Sequence, residues 1–194
     1  MTRSFPLRLG WLLLAGLLPA ALAAQDRTPT VRLALEDFPK VGRAAPVMVL
    51  PYATASGSGP SDQPFDLAME LGNVVVIAFY PGDFTAGCTA QWRAFAARAG
   101  SSLAGVVVVG VSADSLASHQ RFAQELALPF KLLSDPDHAV ARRWAAMDGP
   151  RPRRVVVVVG RDGRVRFIDP AFAEVDPESY ARLAAAVVAA KEKP

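Results

Sequence analysis

Downstream of residue 60, apolar runs of strand length alternate with segments of helix length. Residues 74–80, 106–111 and 155–159 are nearly all apolar and rich in β-branched side chains. Unbroken runs of this kind suit strands covered on both faces of a sheet. Between and after them, residues 89–99, 115–127, 137–146 and 177–191 predict helices. Arg161-Asp162-Gly163 separates residues 155–159 from a further strand candidate at 165–168, which predicts a hairpin. Upstream, only a short strand candidate at 47–50 precedes the Gly/Ser/Pro loop at 56–61. The order predicts an α/β fold: a central mixed sheet, parallel in part and closed by an antiparallel pair, flanked by helices.

The first residues follow another pattern. Arg3 and Arg8 stand in or beside a short basic head with no acid, and residues 9–24 are then almost entirely apolar. That run is shorter than the roughly 20 residues a membrane span requires. Ala21-Leu22-Ala23 puts small residues where a signal peptidase reads them, so residues 1–23 are expected to be a secretory signal peptide. The protein is then exported, with the periplasm as its expected destination and no stable membrane insertion after processing. Residues 24–41 form an N-terminal lead-in, and 42–194 the domain. Removing 23 residues from 194 leaves 171, enough for one well-buried domain. It also takes the basic residues from 21 to 19 against 18 acidic ones, so the formal charge falls from +3 to +1. A balance so close to neutral predicts no nucleic-acid partner.

Cys88 is the chain's one cysteine, so no internal disulfide can form. It is either a buried apolar filler or a reactive thiol. Its position favours the second reading, because it lies between the end of an apolar strand and the start of a helix. Unpaired N–H groups and the positive end of the helix dipole favour a thiolate there. Thiolate attacks a peroxide oxygen, but fast reduction also requires groups that align the O–O bond and stabilise the departing oxyanion. A hydroxyl and a cation would serve. Thr85, three residues before Cys88, can supply the hydroxyl, and Pro81 can stiffen and shield the loop.

Pro81, Thr85 and Cys88 match the P-x-x-x-T-x-x-C signature of peroxiredoxins, after a fitting Phe79-Tyr80. The resemblance extends further. The stretch from Gly42 through Ala45-Pro46 to Leu50-Pro51 is similar to the family's opening G-x-x-A-P-x-F-x-L-P, with Met48 in place of the aromatic residue. Pro129-Phe130-Lys131-Leu132-Leu133-Ser134-Asp135 resembles its P-F-x-L-L-S-D, and Arg154 matches the arginine before its next strand, with Arg151 and Arg153 as neighbouring alternatives. By that resemblance the subfamily is the bacterioferritin comigratory protein type, also called peroxiredoxin Q. Many of these carry a resolving cysteine five residues after the first; that place is Arg93.

The resemblance implies a thioredoxin-like fold and a thiol-dependent peroxidase without cofactor. Cys88, Thr85, Arg154 and Pro81 would be its catalytic residues, with a hydroperoxide as substrate. The Cys88 sulfenic acid would be resolved by an external thiol or thioredoxin-like reductant, in a monomer or weak homodimer. A thiol-disulfide oxidoreductase of the thioredoxin kind would need Cys-x-x-Cys, and Gln91 occupies the second place. A redox-inert thioredoxin-fold binding module is the non-enzymatic alternative. His119 and His138 lack partners at metal-ligand spacing and are expected on the surface. Trp92, Trp144 and the phenylalanines are expected to pack in the core.

Overall fold

A computed structural model describes residues 1–2 and 38–192. The expected signal peptide and most of the lead-in lie outside the described residues. Residues 38–192 all belong to one compact unit.

The fold is α/β, with a seven-stranded mixed sheet at its centre. Its strands are β2 (Tyr52–Thr54), β3 (Gly57–Ser58), β5 (Val75–Phe79), β6 (Val107–Ser112), β7 (Lys131–Ser134), β10 (Val155–Val159) and β11 (Val165–Asp169). The spatial order is β11-β10-β5-β6-β7-β2-β3. β5, β6 and β7 are parallel, whereas β10 runs antiparallel to both β5 and β11. The expected hairpin is therefore present. Two small pairs lie outside the sheet: β1 (Val49–Leu50) with β4 (Phe65–Asp66), and β8 (Met147–Asp148) with β9 (Arg151–Pro152).

Every residue of β5 and β10 is buried. Side chains alternate between faces along a strand, so Val76 and Ala78 pack with Val156 and Val158 on one face. Val75, Ile77 and Phe79 pack with Val155, Val157 and Val159 on the other. The first face is covered by α1 (Ala86–Ala96), α2 (Leu116–Glu125) and α4 (Pro177–Glu192); the second by α3 (Ala139–Arg143), β1 and β4. No helix among the described residues is long and apolar enough to cross a membrane.

Several boundaries differ from those the sequence predicts. α1 starts three residues earlier than 89–99 because the Thr85 hydroxyl accepts from the Cys88 N–H and sets the cap there, and it ends at Ala96. α3 is much shorter than 137–146: left-handed residues His138 and Ala145 bracket it. The strand candidate 47–50 contributes to the β1–β4 pair and not to the main sheet, and part of the loop at 56–61 is the edge strand β3.

Trp92 and Trp144 are completely buried, as expected. Trp92 lies against β6 at Gly110, where an added Cβ would overlap the indole ring and approach Leu132 Cδ2 to 2.8 Å. Gly110→Ala should therefore destabilise the protein by about 1–3 kcal/mol through overpacking. Chemical denaturation would check this, and unchanged stability would show that the ring can move aside.

Candidate active site

Antiparallel pairing explains why Arg154 and Cys88 meet. Val155 at the start of β10 lies opposite Phe79 at the end of β5. The residue just before β10 is thereby brought to the loop that follows β5, and that loop leads into α1. Cys88 stands in the first turn of α1 and has no exposed surface. Arg154 points both Nη1 and Nη2 at its Sγ, at 3.7 and 3.8 Å.

Among the three candidate arginines, Arg154 reaches the sulfur. Arg153 donates from Nη2 to Pro170 O at 3.0 Å, and Arg151 is exposed in β9. The β8–β9 pair, absent from the sequence reading, holds this segment, with Arg153 N–H donating to Ala146 O at 2.9 Å. Thr85 lies beside Cys88: its Oγ1 accepts from the Cys88 N–H at 3.3 Å and donates to Gly82 O at 3.3 Å. Pro81 heads the loop and is exposed.

Two partners of Arg154 escaped the sequence reading. Gln91 is fully buried one helical turn after Cys88, and its Oε1 accepts from Arg154 Nη1. Its spacing from Cys88 places both on one helix face, a signal available in the sequence. Glu174 accepts from Arg154 Nε at 3.1 Å; its place in the loop between β11 and α4 gave no such signal.

His119 corrects an expectation, since it is not on the surface but fully buried. Its Nδ1 lies 2.9 Å from Asp83 Oδ2, and its Nε2 lies 3.2 Å from Leu133 O. Asp83 also accepts from Tyr80 Oη at 2.7 Å and Ser118 Oγ at 2.9 Å, and its N–H donates to Asp114 Oδ2 at 2.9 Å. Burial, reinforced by the Asp83 carboxylate, holds the Tyr80 hydroxyl well above its ordinary pKa, so it stays a donor. These bonds tie the loop of Pro81 and Thr85 to α2, to β7 and to Asp114 just after β6. Phe84 in the same loop also departs from expectation: it is 47% exposed at φ 57°, with its ring edge-on to Phe122 at 5.1 Å. Left-handed backbone at a bulky residue is strained.

A thiol facing two guanidinium N–H groups, with a hydroxyl at the same helix end, suits nucleophilic attack on a bond whose departing atom becomes an oxyanion. Residues 41–168 match the AhpC/TSA family model. The chain belongs to the AhpC/TSA family.

Its similarity lies with the peroxiredoxin Q branch. The chain is 34% identical over 154 residues to a chloroplastic peroxiredoxin Q of Triticum aestivum, covering 73% of this chain and 70% of the wheat protein. Six further plant peroxiredoxins Q are matched over 46% to 59% of their own length. Among solved structures, peroxidoxin BcpB of Mycobacterium tuberculosis aligns with a TM-score of 0.66 at 26% identity, over 78% of this chain and 97% of the other. The bacterioferritin comigratory protein of Xanthomonas campestris, a structure concerned with alkyl peroxide reduction, aligns at 0.60 and 29%, over 73% and 92%. The fold is the thioredoxin-like fold of peroxiredoxins. As a peroxiredoxin with one cysteine, the chain is a thiol-dependent peroxidase rather than a thiol-disulfide oxidoreductase or an inert module.

Proposed function

We propose that this peroxiredoxin reduces hydrogen peroxide and organic hydroperoxides with Cys88 as the nucleophile, Thr85 and Arg154 as the groups that hold and polarise the peroxide, and Pro81 as a stiffener of the loop. The observation that carries the reading is the placement of both Arg154 Nη atoms within 3.8 Å of a helix-terminal sulfur. The Cys88 thiolate attacks one peroxide oxygen, the O–O bond breaks, and the departing oxygen takes a proton and leaves as water or alcohol. Cys88 becomes a sulfenic acid. An external thiol then forms a mixed disulfide with Cys88 and releases water, and a second thiol attacks that disulfide at the external sulfur, so that the two reductant sulfurs leave joined in one disulfide and the Cys88 thiol is restored. A small thiol or a thioredoxin-like protein can fill that role, because the chain has no second cysteine.

Mass spectrometry after one equivalent of peroxide tests this cycle. Without thiol, the expected products are Cys88 sulfenic acid and then, with excess peroxide, sulfinic acid; with a small thiol, the mixed disulfide. Finding Cys88 unmodified while peroxide persists would overturn the reading.

We also propose a monomer or weak homodimer, and a mature protein outside the cytoplasm; the basic and apolar N-terminal pattern with its small residues Ala21-Leu22-Ala23 supports the export. Protein recovered from the exported fraction should have an intact mass that begins at Ala24. A mass retaining residues 1–23 would show an uncleaved leader.

A further inference from the structure

Arg154 is gripped from two sides, and only one grip comes from the helix that carries the sulfur. Gln91 of α1 takes Nη1, and Glu174 of the β11–α4 loop takes Nε at 3.1 Å. We propose that Glu174 is a positioning residue for the peroxide reaction, fixing the plane of the Arg154 guanidinium so that both Nη groups face Cys88. The inference rests on the role given to Arg154 above. One contact at Nη1 fixes a point and leaves the planar group free to swing about it. A second contact at Nε, on another edge of the plane, removes that freedom.

Three features seat Glu174. At Gly87, an added Cβ would stand 2.5 Å from Glu174 Oε1 and 3.1 Å from Arg154 Nη2, so the absent side chain provides the space for the ion pair. Tyr180 donates from Oη to Glu174 O at 2.8 Å, and burial pushes that phenol up to about 12, which keeps the donor protonated. The Tyr180 ring is itself packed edge-on to Phe172 at 5.0 Å and Phe95 at 6.0 Å. The pair is also shielded: the side chains of Arg154 and Glu174 are 14% and 28% exposed. Exposed ion pairs contribute little, but this one is mostly covered, at the edge of an open surface depression formed by Arg153, Arg154 and residues 170–174.

Charge alone gives no reason for the arrangement. A carboxylate beside the arginine offsets part of the positive charge that a thiolate and a departing oxyanion need. Orientation is the benefit that remains, and the two effects are separable: Glu174→Gln keeps an oxygen to accept from Nε and loses the charge, whereas Glu174→Ala loses both.

The test compares reduced proteins in stopped flow with hydrogen peroxide, alongside Cys88 alkylation by iodoacetamide at the same pH. Glu174→Ala should react with peroxide about tenfold more slowly, the scale of one charge-assisted hydrogen bond. Its alkylation should change less than about twofold, because alkylation uses the thiolate without needing an oriented oxyanion donor. Glu174→Gln should retain the wild-type peroxide rate within about twofold. Gly87→Ala, whose Cβ displaces the carboxylate, should reproduce Glu174→Ala. In an Arg154→Met background, Glu174→Ala should add nothing. The inference is overturned if Glu174→Ala keeps the wild-type rate, if both Glu174 variants react faster, or if the loss is the same without Arg154. A wild-type thiol that ignores peroxide would instead bring down the peroxidase reading itself.

Discussion

Cys88→Ser should end peroxide consumption. An alcohol of nearly the same shape fits the buried first turn of α1, so the fold survives, but it is not ionised at neutral pH and cannot attack the peroxide. Arg154→Met should leave the thiol in place and remove both N–H groups that face it. Losing such a donor typically lowers the rate by about 10²- to 10³-fold. Thr85→Val should also slow the reaction, and it removes the hydroxyl that caps α1, at a cost of about 1 kcal/mol in stability. Stopped-flow measurement of the second-order peroxide rate checks all three. If Arg154→Met reacted at the wild-type rate, the guanidinium at 3.7 Å from the sulfur would be a structural group only.

The largest stability effect is expected at Asp83, away from the reacting atoms. Asp83→Ala strips Tyr80 Oη, Ser118 Oγ and His119 Nδ1 of one shared acceptor, and Tyr80 and His119 lie where water does not reach. Removing one partner from a buried polar network of this kind costs about 3–5 kcal/mol. In a domain of this size that lowers the thermal midpoint on the order of 10 °C. Ser118→Ala loses a single donor and should cost about 1 kcal/mol. Thermal unfolding of the reduced proteins separates the two variants. A loss below about 1 kcal/mol for Asp83→Ala would mean that water enters the network once the carboxylate is gone.

The sheet's interior and the pairing of Cys88 with Thr85 were both legible in the sequence. Residues 155–159 read as a doubly covered strand because five consecutive valines can bury both faces at once, and β10 has those bounds. Cys88 and Thr85 read correctly as neighbours because a helix cap is local: three residues separate them, and the cap itself joins them. Arg154 was identified by resemblance and not by pattern, since an antiparallel pairing across the sheet leaves no periodic trace at residue 154. His119 was misread for a related reason. Its helix is polar around it, and the signal for burial is Asp83, distant in sequence and near in space. β7 was overlooked as a strand because Lys131–Ser134 is short and opens on a lysine, although its two leucines are fully buried. Glu174 illustrates the limit: a loop carboxylate acquires its role from the absence of a side chain at Gly87, and an absence has no pattern of its own.

The burial of Trp92 and Phe95 sets where α1 can yield. Both rings lie wholly inside, against Tyr80, Phe130, Phe172 and Tyr180. Unwinding the middle of the helix would expose them together, at a cost of several kcal/mol. Its first turn holds small residues, Ala86 and Gly87, behind an exposed Thr85, and fraying at such an end is far cheaper. Cys88, with no exposed surface, sits in that first turn. One frayed turn would bring Cys88 toward the surface, while the buried rings of Trp92 and Phe95 hold the rest of α1 in place.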